Sequence, residues 1–317
     1  MISKAVIAAG GLGTRIRAVT GDALPKALLP IAGEPVIFRQ MQLLAEYKVE
    51  HVIVLAGHLA DALRNSVETE AERLKLRLDV LVESQPLGTA GGLAAARALL
   101  GNEHYYFLCG DIAVHMDLDR LQAVHIGSLA AATVVVHPND HPHDSDLIAV
   151  DEHDCITAIM PRGTRPPGYY RNLVFGSIYC LSPRVTAFVE NEKKQDLNND
   201  VLPHMLAVGE RLRAYNTPEY LRDVGTAERL ALVERDIASG FMESLHWSQK
   251  RPAVFFDRDG VLNVERGGRG VIHIDELEIL PGAAAAVKTV NDSGQLAVVV
   301  GAFLDRRRLL AGRLRQR

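Results

Sequence analysis

Residues 5–15 read AVIAAGGLGTR, a short apolar run that leads directly into a glycine-rich turn. Continuous apolar runs of this length are typical of strands buried on both faces of a parallel sheet. Glycines after such a strand let backbone N–H groups approach a phosphate without obstruction by side chains. The stretch therefore predicts a buried first strand and a phosphate-binding turn, although a tight strand-to-helix connection alone also explains the glycines.

Similar apolar runs recur and alternate with segments of helical periodicity, such as residues 36–47 and 89–100. This alternation predicts an α/β fold with a mainly parallel sheet covered by helices. Ser182 is predicted to cap a helix that begins at Pro183. The predicted strands are residues 5–9, 51–55, 78–82, 105–109, 132–136 and 175–181, with a hairpin at 147–150 and 155–159 and a closing helix at 226–237.

Changes in pattern also divide the chain into regions. Residues 1–240 are predicted to form the first domain and 241–252 a linker. A new apolar strand begins at residue 253 and opens a second α/β region, 253–317.

Composition narrows the classes of function. The 317 residues are 48% hydrophobic, with a net charge of -4 and a pI near 6.3, so no basic face for nucleic acid is expected. No apolar run approaches the ~20 residues that span a bilayer, and no signal peptide is recognised, which predicts a cytoplasmic protein without membrane contact. The three cysteines, Cys109, Cys155 and Cys180, are expected to be core thiols.

Two common nucleotide-binding motifs do not fit the glycine turn. A Walker loop would end in Gly-Lys-Ser/Thr, and the dinucleotide fingerprint would have a glycine in place of Ile16. Instead, Arg15 follows the turn and Lys26 lies in the proline-flanked stretch LPKALLP, residues 24–30. Two cations on such a loop suit a triphosphate whose leaving pyrophosphate gathers charge.

These blocks resemble the sugar-phosphate nucleotidyltransferase family, together with PLGTAGG at residues 86–92, CGD at 109–111 and LRDVGT at 221–226. The resemblance covers about residues 1–236. It implies a Rossmann-like fold and an enzyme that makes a nucleotide sugar and pyrophosphate from a nucleoside triphosphate and a sugar 1-phosphate. The implied site residues are Ala9, Gly10, Gly11, Gly13 and Thr14 for the nucleotide, Gln85, Gly88 and Thr89 for base and ribose, Arg15 and Lys26 for the triphosphate, and Asp111 and Asp223 for Mg²⁺.

The residues themselves agree with a magnesium site. Asp111 and Asp223 each follow an apolar stretch near a glycine, which predicts strand ends, where open parallel sheets bind ligands. Mg²⁺ prefers one or two carboxylates plus phosphate oxygens and water. In isolation, aspartates such as these are more often turn formers than metal ligands. The predicted reaction is in-line attack of a sugar-phosphate oxygen on the α-phosphorus, with Arg15, Lys26 and Asp111 as its catalytic residues.

On the sugar side the chain departs from the family pattern. Relatives commonly carry a Glu-Lys-Pro-like element after the hairpin, whereas this chain reads IMPR at residues 159–162. Arg162 or Arg165 is predicted to replace the missing lysine as the sugar-phosphate contact. Residues 175–177, FGS, stand where relatives tend to have Asn-Ala-Gly.

Residues 254–263, VFFDRDGVLN, resemble the opening motif of haloacid-dehalogenase-type phosphatases. The resemblance implies a nucleophile at Asp257 and a general acid and base at Asp259. Both are expected to be vestigial, because Gly301 stands where such enzymes continue with Thr or Ser and the later motifs have no counterpart. The arginine-rich stretch 306–317 is interpreted as an out-of-frame continuation or a basic tail.

A phosphatase of this type would supply a sugar 1-phosphate, which favours a heptose. Residues 137–147 also resemble the heptose 1-phosphate guanylyltransferase branch of the family. The expected substrates are therefore GTP and a heptose or mannose 1-phosphate, and a homo-oligomer is left open. Two alternatives stay open: a nucleotide-binding protein without turnover, and a phosphatase that uses the second region.

Overall fold

The computed structural model describes residues 1–11, 13, 24–139, 142–165, 170–268, 270–271 and 273–301. Thr14 and Arg15 lie outside the described residues. The chain divides into two compact units, Met1–Trp247 and Ser248–Arg317. The segment predicted as a linker begins with a helix of the first unit, Phe241–Ser244, whose Met242 is buried.

The first unit is built around one large sheet. The strands of the chain are β1 (Lys4–Ala9), β2 (Pro30–Ile31), β3 (Glu34–Pro35), β4 (His51–Ala56), β5 (Arg77–Val82), β6 (Tyr105–Cys109), β7 (Ile112–His115), β8 (Ala132–His137), β9 (Leu147–Val150), β10 (Ile156–Met160), β11 (Val174–Leu181), β12 (Leu212–Asn216), β13 (Tyr220–Asp223), β14 (Ala253–Asp257) and β15 (Leu296–Val300). The α-helices are α1 (Val36–Glu46), α2 (Ala60–Leu74), α3 (Leu93–Leu100), α4 (Leu118–Ser128), α5 (Leu202–Ala207), α6 (Ala227–Ala238), α7 (Phe241–Ser244) and α8 (Ala283–Asp292).

Seven strands form the central sheet in the order β12-β8-β11-β6-β1-β4-β5. Only β11 runs antiparallel to its neighbours, β6 and β8, and the other pairs in this sheet are parallel. The mainly parallel α/β sheet predicted from the sequence is confirmed. Every residue of β4 is buried, as expected for a strand covered on both faces.

Alternate residues of the central strands pack into different core clusters. Val52 of β4 belongs to the cluster that contains Met41 of α1 and Val67 of α2. Its neighbour Ile53 belongs to the cluster that contains Leu93 of α3. Successive side chains of a strand point to opposite faces of the sheet. One apolar run therefore packs against the helices on both faces.

Two local predictions are wrong. Helix α3 begins at Leu93 and not at residue 89, because the preceding glycines pack too tightly for a regular helix: a Cβ on Gly91 would lie 2.5 Å from the carbonyl oxygens of Leu87 and Lys193. Ser182 precedes a 3-10 helix, Pro183–Phe188, but its side chain makes no capping bond.

Three antiparallel pairs lie outside the central sheet of this unit: β2 with β3, β9 with β10 and β7 with β13. The predicted hairpin is confirmed as β9 and β10, whose turn is held by Asp151 Oδ1, which accepts from the N–H groups of His153 and Cys155. Strands β7 and β13 also pair antiparallel. This pair joins the segment after β6 to the segment before α6.

The second unit contains the parallel pair β14 and β15 and helix α8. Large apolar side chains are exposed on it, including Phe255 at 68% and Val299 at 54%. Among its described residues, Asn263 and Ala283 are the buried ones. This part of the chain thus encloses little apolar surface. Within the described ranges, no helix has the length and apolar character needed to cross a membrane.

Candidate functional site

The carboxyl ends of β1, β4 and β6 lie side by side, with Ala9 opposite Ala56 and Ala8 opposite Cys109. Glycines follow each of these ends and allow the backbones to approach closely. A Cβ on Gly57 would lie 2.7 Å from the carbonyl oxygen of Gly10, and Gly110 N–H donates to the carbonyl of Ala8 at 2.8 Å. This edge is where open α/β sheets bind ligands.

Asp111 and Asp223 meet at this edge. In the β7–β13 pair, Asp223 lies opposite Ile112, and Val224 N–H donates to the carbonyl of Asp111 at 2.9 Å. No group of three or more His, Cys, Asp and Glu side chains that could hold a metal was found in the described part of the chain. Aspartates on two adjacent backbone segments could hold Mg²⁺, which would complete its shell with substrate phosphates and water.

A cation lies against each of these carboxylates. Lys26 forms an ion pair with Asp111, and its side chain is only 14% exposed. Lys26 opens a 3-10 turn, Lys26–Leu28, immediately after Pro25, whose fixed backbone angle stiffens the segment. Arg229 Nη1 lies 2.7 Å from both oxygens of Asp223. Sequence reasoning missed Arg229, because its contact depends on the orientation of α6 relative to β13.

The loop at residues 85–89 packs on the segment around residue 195. Thr89 Oγ1 donates to Asp196 Oδ2 at 2.7 Å and accepts from Leu197 N–H at 2.8 Å. Gly88 has φ of 78°, and a Cβ there would lie 2.4 Å from the carbonyl oxygen of Gln195. Gln85 is exposed, with a long hydrogen bond of 3.4 Å to a backbone carbonyl. These contacts give Gly88 and Thr89 a packing role, and their predicted nucleotide contacts stay predictions.

Glu83 is a second residue that the sequence reasoning missed. It follows β5, and its Oε2 accepts from Leu87 N–H at 3.3 Å. A Cβ on Gly10 would lie 2.9 Å from Oε2, and one on Gly92 would lie 2.6 Å from Oε1. Burial raises the pKa of the Glu83 carboxyl above its ordinary value. The sequence signal that could have identified this residue is a glutamate directly after the apolar run 78–82 and three residues before Pro86.

The Glu83 side chain lines a cavity of about 480 Å³. Leu55, Leu87 and Gly92 contribute to its wall, together with Asn191 and Glu192. The volume lies within the range of ligand pockets, roughly 300–1,000 Å³. Glu83 thus connects this cavity to the glycine turn at Gly10.

Residues 4–240 match the Nucleotidyl transferase family. The chain belongs to this family. It is 28% identical to the mannose-1-phosphate guanylyltransferase of Mycobacterium tuberculosis over 293 residues, which cover 92% of this chain and 75% of that protein. It is also 28% identical to the mannose-1-phosphate guanylyltransferase catalytic subunit beta of Drosophila melanogaster over 225 residues, 70% of this chain. The match spans 59% of the length of the Drosophila protein.

Solved structures share the fold. HddC from Yersinia pseudotuberculosis superposes with a TM-score of 0.63 at 22% identity, over 74% of this chain and 100% of its own. A UDP-glucose pyrophosphorylase in complex with UDP-glucose gives 0.63 at 19% identity, over 76% of this chain and 100% of its own. At these identities the likeness establishes the Rossmann-like nucleotidyltransferase fold alone.

In this nucleotidyl transferase, the two arginines predicted for the sugar phosphate differ in their contacts. Arg165 donates to the carbonyls of His143 and Ser145 and so ties together the loop before β9. Arg162 is anchored by its backbone N–H, which donates to Asp146 Oδ1 at 2.7 Å. Its guanidinium has no hydrogen bond or ion pair within the described ranges, which leaves it available to a ligand.

Ser177 has an unusual backbone conformation in this transferase. It lies where the register of β11 against β8 shifts, with φ of 58°, in the left-handed region that favours glycine. Its hydroxyl lies beside the thiol of Cys109. Burial raises the pKa of that thiol, the charge of Asp111 raises it further, and the bond from Ser177 opposes this rise. The bulge therefore lies close to the candidate metal ligands.

In the second unit, Asp257 ends β14, and its Oδ1 accepts from Arg258 N–H at 2.8 Å. Asp259 is held by Arg258 Nη2 at 2.8 Å and by Asn263 Nδ2 at 2.9 Å. The Arg258 contact and then the Asn263 bond hold the pKa of the Asp259 carboxyl below its ordinary value. Asp259 is therefore engaged as an acceptor by neighbouring side chains.

Proposed function

We propose that this chain transfers a guanylyl group from GTP to a sugar 1-phosphate, with heptose or mannose 1-phosphate as the sugar substrate and pyrophosphate as the second product. The observation that carries the proposal is the meeting of Asp111 and Asp223 beside Lys26, at the carboxyl edge of the sheet. The names of the relatives from M. tuberculosis and Drosophila support guanylyl transfer to mannose 1-phosphate. HddC, which shares this fold, has also been solved in complex with GMP-PN, a guanine nucleotide, and this supports GTP as the substrate.

We assign Asp111 and Asp223 as Mg²⁺ ligands. When bound, the ion would neutralise charge on the phosphate oxygens at the reacting phosphorus. Lys26 and Arg15 stabilise the leaving pyrophosphate, because its negative charge grows as the bond to the α-phosphorus breaks. Lys26 also holds Asp111 in place before substrate binds. No covalent enzyme intermediate is required, since positioning and charge neutralisation suffice for in-line transfer.

We assign Glu83 as the group that selects guanine. An ionised carboxylate only accepts hydrogen bonds. The Watson–Crick edge of guanine presents two adjacent donors, N1–H and N2–H, whereas uracil presents one donor between two acceptors. Glu83 has one long backbone bond and no cation partner in the described residues, so its oxygens are free to accept both guanine donors. A buried acceptor left facing an acceptor would penalise UTP strongly.

On the sugar side, we assign the phosphate contact to Arg162. The preference for heptose rests on the resemblance of residues 137–147 to the heptose branch and of residues 254–263 to sugar bisphosphate phosphatases. We interpret Asp257 and Asp259 as vestiges of that second activity. The support is the Arg258 contact, which occupies the carboxylate that a general acid would use.

The test is pyrophosphate release from GTP, UTP, ATP and CTP, each with mannose 1-phosphate and with heptose 1-phosphate. We expect turnover with GTP and one of the two sugars, and its loss in Asp111→Asn and Asp223→Asn. Calorimetry with Mn²⁺ checks separately that both variants bind metal more weakly. Glu152→Gln, on the exposed hairpin turn, is the matched control. GTP binding without turnover with any sugar would favour a nucleotide-binding protein, and wild-type rates in both aspartate variants would refute the metal assignment.

A further inference from the structure

A second cavity, of about 270 Å³, lies at the other edge of the central sheet. His104, which lines it, precedes the amino end of β6, whereas Asp111 follows the carboxyl end of the same strand. Five residues of strand separate the two edges by roughly 16 Å. We call this cavity the histidine pocket; its wall consists of His104, His125, Ile126, Leu129, Ala130, Ser182, Pro183 and Arg184.

A chain of hydrogen bonds runs from the core into the histidine pocket. Thr133 Oγ1, on β8, lies 2.9 Å from His125 Nδ1, and His125 Nε2 lies 2.9 Å from His104 Nδ1. Thr133 and His125 are fully buried. Burial first, and then the charges of His104 and Arg184, lower the pKa of His125 to about 4, so the ring is neutral near pH 7.

Two hydrogen placements satisfy this chain. If Thr133 donates to His125, then His125 donates to His104, and His104 carries its hydrogen on Nε2, where it is a donor. In the opposite placement, that nitrogen is an acceptor. A bound acceptor would select the first placement without adding any charge to the core.

Two further groups on the wall of the histidine pocket are also donors. Ser182 is 3% exposed, and its buried Oγ has no hydrogen-bond partner in the described part of the chain. A buried hydroxyl without a partner is uncommon and calls for an explanation. Arg184, half exposed, forms an ion pair with Glu210 at 3.0 Å and donates to the carbonyl of Leu129. After burial, its positive charge also lowers the pKa of His104.

We propose that the histidine pocket binds a small oxyanion, a phosphate or the phosphate group of an ester, through Ser182, His104 and Arg184. The three groups supply a hydroxyl, a ring N–H and a guanidinium, which are donors that recognise phosphate oxygens. The volume lies just below that of pockets for drug-sized ligands, so the ligand is small. The site is separate from the substrate edge and does not depend on the proposed reaction.

The test uses the full chain and inorganic phosphate. Ring ¹H–¹⁵N signals of the 12 histidines are followed by NMR, with His104→Gln and His125→Gln to assign the two of interest. We expect phosphate to shift the Nε2 signal of His104 with saturation. Ser182→Ala should weaken this binding ~10-fold or more, the effect of losing a charge-assisted bond. His153→Gln, on an exposed turn, should leave it unchanged.

Ser182→Ala also separates binding from a structural role. Because Ser182 Oγ has no partner to lose, its removal should leave the melting temperature unchanged or higher. Parallel titrations with pyrophosphate and mannose 1-phosphate identify whether a free anion or an ester binds more tightly. A His104 signal that does not move at ~10 mM phosphate, ten times a millimolar Kd, would overturn the proposal. An equal shift in wild type and Ser182→Ala would also overturn it.

Discussion

Replacing Glu83 with Gln tests how the transferase selects its base. The carboxylate lies between Gly10 and Gly92 and lines the larger cavity. Gln has nearly the same shape, so the loops around it need not move. It keeps one acceptor oxygen but places an NH₂ group where guanine presents a second donor. We expect the variant to fold normally and to lose its preference for GTP.

The size of the effect follows from the hydrogen bond that is lost. A hydrogen bond to a charged group contributes about 1.5–3 kcal/mol. At 1.4 kcal/mol for each factor of ten, kcat/KM for GTP should fall about 10- to 150-fold. The NH₂ group of Gln can donate to a uracil carbonyl, so kcat/KM for UTP should rise or stay constant. The GTP-to-UTP ratio of kcat/KM should therefore fall by at least as large a factor as kcat/KM for GTP.

The raised pKa of Glu83 predicts a pH dependence with a defined sign. Burial makes the folded protein hold this proton more tightly than the unfolded chain. Ionisation of Glu83 therefore destabilises the fold as pH rises from the ordinary glutamate pKa through the raised folded value, and the loss persists above it. Glu83→Gln should gain melting temperature relative to wild type across this window and show no difference below it. The kcat/KM for GTP should rise over the same window in wild type alone.

Pyrophosphate release from GTP and UTP measures the ratio, and thermal unfolding from pH 4 to pH 8 measures the stability. Glu192→Gln is the matched control, because Glu192 lines the same cavity but is exposed. It should change neither quantity. A GTP-to-UTP ratio within about twofold of wild type in Glu83→Gln would refute the assignment, since a lost charge-assisted bond changes a rate at least ~10-fold.

Four further predictions concern other parts of the chain. Lys26→Ala should lower kcat/KM at least ~10-fold in the pyrophosphate assay, and an unchanged value would place Lys26 outside the site. Ser177→Gly should melt at a higher temperature than Ser177→Ala, because both lose the hydroxyl and left-handed strain of roughly 1–2 kcal/mol exceeds the ~0.5–1 kcal/mol entropy cost of glycine; a lower value would contradict the strain. A chain ended after Trp247 should keep both transfer activity and melting temperature, while one ended after Gly240 should unfold at lower temperature; equal melting temperatures would show that α7 is dispensable. The full chain should release no phosphate from heptose 1,7-bisphosphate, and release that disappears in Asp257→Asn would reverse this reading.

The end of the first unit, at Trp247, could not be read from the sequence. The mixed polar and apolar character of residues 241–252 predicts a linker, yet Met242 is buried with the core beside β13. Trp247 N–H donates to Glu219 at 3.3 Å, and Arg120 lies 4.3 Å above the Trp247 ring. These partners are distant in sequence, so no local pattern could indicate them.

The central sheet was predictable because its signal is local. The run at residues 51–55 is apolar at almost every position, and it forms β4 with both faces buried. Asp111 and Asp223 could be placed at strand ends for the same reason. Their cation partners could not all be inferred, since the contact of Arg229 with Asp223 depends on the orientation of α6 relative to β13. The predicted start of α3 at residue 89 was wrong, because Gly91 packs against Lys193, which lies in a loop distant in sequence.

Asp111, Asp223 and Glu83 differ in the groups that balance their negative charge. That difference separates the roles proposed for them. Asp111 and Asp223 each contact a cation, Lys26 and Arg229. A carboxylate already paired with a cation can exchange or share that partner with a metal and its phosphates while charge stays balanced. Among the described residues, the partner of the Glu83 side chain is a backbone N–H, and the side chain is half buried. A desolvated carboxylate with spare acceptor capacity is stabilised by N–H donors that enter its cavity, and a guanine edge brings two of them.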